Sequence, residues 1–145
     1  MSPASRRNWA RLVRIALISL IALPWLPALL GGVPWLARPC AILDGWFALH
    51  CQRDPARGLP GLAVCLRCYG IYFGLGFGAL VLRPRLAPFR VRVWVLCAAL
   101  VMLLDVATEL LGMRSPYAPL RFVTGALLGY PVGLSLALAL RREPG

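Results

Sequence analysis

Cys65 and Cys68 stand three residues apart, a spacing that puts two thiols on one face of a helix and suits metal ligation or disulfide exchange. Cys40 and Cys51 precede them, and the sole histidine, His50, adjoins Cys51. Four soft or borderline donors from two short strings suit tetrahedral zinc. The candidate ligands are Cys65, Cys68 and either Cys51 or His50, because sequence neighbours rarely bind one ion together; Cys40 is a further donor. Two other readings stand beside zinc. One is a quinone-coupled thiol relay, in which a Cys40 and Cys51 pair exchanges with Cys65 and Cys68. The other is a non-catalytic membrane subunit with one structural disulfide and otherwise inert thiols. Cys97, deep in an apolar run, is read as packing.

A second group is ionic. Asp105 and Glu109 are four apart, hence on one helix face, inside an otherwise apolar run. An ionisable group at such depth is costly and turns inward toward partners. Arg67, Arg114 and Arg121 fall at similar depth, with Thr124 one turn beyond Arg121. Asp105, Glu109 and Arg121 are the candidate catalytic residues: a carboxylate there can move a proton while a thiolate-held zinc polarises water or a carbonyl. The plainer alternative is a salt bridge that fixes helix register.

The elements that position these groups follow from composition. The 145 residues are 60% apolar and only 14% charged, where a soluble domain has about a quarter of its residues charged. A disordered chain, a collagen-like chain and a soluble disulfide mini-protein are excluded; a single polytopic membrane domain over 1–145 is expected. Four apolar runs, 15–33, 59–82, 93–113 and 122–140, each approach the ~20 residues a helix needs to cross a bilayer. Period-two alternation is absent, so the expectation is an all-α four-helix bundle with an outer loop at 34–58. The net charge of +11 comes from 16 basic residues, all arginine. Arg6, Arg7, Arg11, Arg14, Arg83, Arg85, Arg90, Arg92, Arg141 and Arg142 share one side of this topology. The positive-inside bias then places both termini in the cytoplasm of a multi-pass inner-membrane protein. The lipid bilayer is the expected partner and nucleic acid is not. Arg38, Arg53, Arg57, Arg67, Arg114 and Arg121 fall on the outer side, more than topology needs, and point to a site there. Arg53 and Arg57 are read as solvated or as anion-binding, and Trp35 and Trp46 as interface anchors. The first run also has the n- and h-regions of a signal peptide, but no small-x-small cleavage site follows, and Pro24, Pro27 and Pro34 suit a retained, kinked anchor. Gly70, Gly74 and Gly78, like Gly125, Gly129 and Gly133, recur every fourth residue. Such grooves pack helices within one subunit, or offer a seam to a protein partner or a second copy.

The string Gln52-x-x-Pro55-x-Arg57, followed by Cys65-x-Arg67-Cys68-x-Gly70-Ile71-Tyr72-x-Gly74, resembles a bacterial and archaeal domain-of-unknown-function family of small polytopic membrane proteins. That family's pattern runs Cys-His-Gln, Pro-x-Arg, Cys-x-Arg-Cys-x-Gly-Ile-Tyr, then an intramembrane acid and Arg-x-x-Thr-Gly. Asp105, Glu109 and the stretch from Arg121 to Gly125 match the later elements, so the resemblance covers about residues 45–133. It implies a shared site without naming a reaction. This chain reads His50-Cys51-Gln52 where the family has Cys-His-Gln, which leaves open which of the two works.

Overall fold

The computed structural model describes residues 3–51, 59–81, 87–115 and 117–139, and these are helices and turns, with no strand among them. Gln52, Arg53, Pro55, Arg57, Arg83, Arg85, Arg141 and Arg142, which carried parts of the motif and topology readings, lie outside the described residues. The helices are α1 (Pro3–Ser19), α2 (Leu26–Leu30), α3 (Ala37–His50), α4 (Leu66–Leu80), α5 (Pro88–Leu110) and α6 (Ala118–Ala139). A 3-10 turn, Leu23–Trp25, leads into α2.

Prolines shape the first half. Pro24 and Pro27 cannot donate to a preceding turn, so the first apolar run breaks and the chain bends by 45°. The segment read as an outer loop, 34–58, contains α3. Pro39 does not prevent this helix, because it sits in the first turn, where backbone N–H groups have no intrahelical acceptor. The second run, 59–82, begins as a turn: Leu62 N–H donates to Leu59 O at 3.0 Å, and Gly61 adopts φ +82°, a conformation only glycine takes freely. Ala63 N–H then donates to Pro24 O at 3.1 Å, which ties this turn to the 3-10 segment and delays α4 until Leu66.

Among the described residues, two helices, α5 and α6, are long and apolar enough to cross a membrane, and the bent first pair passes the same test only as a broken span. Only 11% of the apolar window of α5 is buried, against 44% for α6. Leu96, Leu100, Leu103 and Leu104 face outward, a surface that calls for an apolar solvent. Cys97, expected to pack, is exposed among them.

The core pairing joins α4 to α6. A Cβ on Gly74 would lie 2.5 Å from Ala126 O and 2.8 Å from Tyr130 N, while Gly70 meets Phe122 and Gly78 meets Tyr130 and Leu134. Residue numbers rise together along both helices, so the pair is parallel. The second series reciprocates, with Gly125 over Arg67, Gly129 over Ile71 and Gly133 over Leu75. Both glycine faces are therefore filled within the chain. Of the two readings of these glycines, packing within one subunit is the one these contacts match, because the backbones that fill the grooves belong to this chain. Antiparallel to α4, α1 packs Leu17 on Gly76, with Ile21 just beyond its end against the same glycine, and Arg14 Nε donates to Ala79 O at 3.0 Å, capping the helix end. Antiparallel to α6, α5 packs Trp94 against Tyr130, the rings tilted by 42° at 5.6 Å.

The end of α5 has a direct bearing on the site. Met113 N–H donates to Thr108 O and Gly112 N–H to Glu109 O, with Gly112 at φ +68°; this is the Schellman pattern. It reverses the chain so that Arg114 folds back onto Asp105. Gly112→Val should lower stability by about 2 kcal/mol, because a β-branched residue is strained at positive φ. Thermal unfolding in detergent checks this, and a midpoint equal to the parent's would contradict the left-handed turn.

Candidate functional site

Three thiols meet where α3 ends and α4 begins. Cys51 leaves α3 in an extended conformation (φ −136°, ψ 121°), Cys65 is the N-cap of α4, and Cys68 lies one turn in. Their Sγ atoms all lie within 4.8 Å of one another. Sulfurs sharing a zinc ion at ~2.3 Å each stand about 3.8 Å apart, so small side-chain movements suffice to converge them. The Cys65 N–H donates to Cys51 Sγ at 3.1 Å. The first turn of α4 aims its free N–H groups at this corner, which favours thiolates. Phe47, fully buried, and Val64 enclose it, with Leu23, Leu43 and Tyr72 alongside; burial pushes the Cys51 thiol up from its ordinary range. None of the five cysteines is in a disulfide.

The other expected donors stand apart. His50 is exposed, and its Nδ1 lies 2.9 Å from Trp46 O, so that nitrogen carries the proton. Its ring packs on Trp46 at 4.6 Å, outside the thiol group. Of the His50 or Cys51 alternative, the structure brings only Cys51 to Cys65 and Cys68. Cys40 donates its thiol toward Leu26 O at 3.8 Å. Ten helical residues separate it from the end of α3 at His50, a rise of about 15 Å. A Cys40 and Cys51 disulfide, which needs Cα atoms within about 7 Å, therefore does not fit while α3 is intact.

The ionic group forms a separate centre near the same end of α4, through Arg67. Arg67 Nη2 donates to Asp105 Oδ2 at 2.6 Å and approaches Glu109 Oε2 at 3.5 Å. Arg114 Nη2 takes the other Asp105 oxygen, Oδ1. Arg121 is bidentate on Glu109, Nε reaching Oε2 at 3.0 Å and Nη2 reaching Oε1. Asp105, Glu109 and Arg121 side chains are only 3%, 6% and 3% exposed. Thr124 is buried but returns its hydroxyl to Arg121 O at 3.1 Å, so it does not join the network.

Arg67 was legible as a neighbour and not as the link between centres. It sits between two cysteines yet points about 100° round the helix from Cys68, away from the thiols and toward α5. One merged pocket was expected; the chain has two centres set back to back across the first turn of α4.

The family model described as "Predicted membrane protein (DUF2085)" matches residues 51–135. This stretch is more than half of the chain and holds the three thiols and the whole ionic network. An uncharacterized protein of Methanocaldococcus jannaschii, MJ1492, is 35% identical over 94 residues. The alignment covers 59% of this chain and 60% of that protein. No solved structure matches. The chain belongs to the DUF2085 family of predicted membrane proteins.

Proposed function

We propose that this member of a predicted membrane protein family is a multi-pass inner-membrane protein whose outer end carries a zinc site built from Cys51, Cys65 and Cys68. The observation that carries the reading is the convergence of the three Sγ atoms within 4.8 Å of one another. Alternating helix directions, with the ends of α1 and α6 nearest the arginine-rich segments, support a four-helix bundle with both termini cytoplasmic. In that reading α4 and the turn before it together cross the bilayer. Bound zinc would supply Lewis acidity. Asp105, Glu109 and Arg121 are the acidic and basic groups nearest to hand, reached through Arg67, and they position α4 against α5 and α6.

A second reading, a thiol oxidoreductase, draws on one feature: Cys65 and Cys68 straddle a helix N-terminus, where a thiolate is stabilised. One measurement separates the two. Protein purified without chelator should contain about one zinc per chain and, after denaturation in chelator, five titratable thiols. Cys65→Ser should abolish the zinc, and His50→Ala should leave it unchanged. Absence of zinc with two thiols missing would replace the metal reading by the redox one.

A further inference from the structure

Among the described residues, the ionic network has a charge left over. Arg121 and Glu109 pair through two hydrogen bonds and neutralise each other. Asp105 is shared, one oxygen to Arg67 and the other to Arg114, and Arg67 has only a longer contact of 3.5 Å to Glu109 besides, so three guanidinium groups divide two carboxylates. The two Nη2 atoms can be no more than about 8 Å apart, the sum of two hydrogen bonds and a carboxylate's own width. Like charges at that distance, largely out of water, repel unless a further anion lies between them. The hydrogen bonding tells the same story. Arg67 Nε and Arg114 Nη1 are buried and have no acceptor among the described residues, a rare state for a guanidinium N–H in a folded protein. Both side chains are still reachable, at 18% and 29% exposed. The parallel α4 and α6 begin at this end too, and their N-termini add positive potential.

From these observations we infer that Arg67 and Arg114, held by Asp105, form a binding site for one phosphate-type oxyanion. The ligand is either free phosphate or the phosphodiester of an anionic lipid headgroup. Guanidinium forks match phosphate oxygens in pairs, and one added negative charge brings the cluster to neutrality. The inference does not rest on zinc, because the thiols face away from this centre.

The test is thermal unfolding of the full chain in two arms. In a zwitterionic detergent, phosphate is compared with chloride at matched ionic strength; in nanodiscs, phosphatidylcholine alone is compared with phosphatidylcholine carrying phosphatidylglycerol. A midpoint raised by about 5 °C in the first arm assigns free phosphate, and a rise confined to the second assigns the lipid headgroup. Arg114→Gln should erase the rise, as should Arg67→Gln, which stands in if the first variant fails to fold. Arg92→Gln, an exposed arginine at the opposite end of α5, should keep it. No rise in either arm would overturn the site. So would a rise that survives both site variants, or one lost equally in Arg92→Gln.

Discussion

Gly74→Val is expected to lower stability by about 3–5 kcal/mol, enough to deplete folded protein at ordinary expression levels. The cause is contact of backbone with backbone. A Cβ at position 74 would sit 2.5 Å from Ala126 O and 3.0 Å from Ala126 Cα, and neither atom can rotate away as a side chain would. The helices would have to part by about an ångström to regain ordinary contact, stripping the groove from Gly70 to Gly78 of its packing. Gly45→Ala is the internal control. Nothing lies within 4 Å of that Cβ, and alanine is favoured over glycine in a helix by up to ~1 kcal/mol. Folded yield and thermal midpoint of the two variants measure the difference; equal behaviour would mean that α4 and α6 are not in close contact.

Asp105→Asn should cost about 3–5 kcal/mol, since it strands the largely buried Arg114 and leaves Arg67 only its longer contact to Glu109. For a chain of this size that is a fall in midpoint of about 10 °C. The cost belongs to the stranded charges more than to the lost bonds, so removing one of them should return part of it. Asp105→Asn combined with Arg114→Gln should therefore be more stable than the sum of the separate effects predicts. Strict additivity would show that Asp105 and Arg114 do not interact.

Much of this arrangement could be read from spacing. The three-residue interval of Cys65 and Cys68 places both on one face of α4, and the fourfold glycine interval marks the faces that meet. Asp105 and Glu109 announce inward partners because a charge in an apolar run has no other refuge. What spacing cannot carry is direction around and along a helix fixed by distant contacts. His50 turns back to Trp46 because a backbone carbonyl there satisfies it, a local bond without a sequence signature. The late start of α4 depends on Ala63 reaching Pro24 across the fold. Arg114 joins the network only through the left-handed Gly112, whose apolar surroundings look like a plain helix end. Hydropathy made 34–58 a loop, since it measures how greasy a segment is and not whether its backbone is coiled.

The parallel union of α4 and α6 also sets an order for making the protein. Gly70 is translated roughly fifty residues, a few seconds, before the Phe122 it must touch. During that interval α4 has its glycine strip uncovered, and Arg67 lacks both of its acids until α5 follows. The ionic centre is thus a late product of biogenesis, completed only when the final helix docks and brings Arg121 to Glu109.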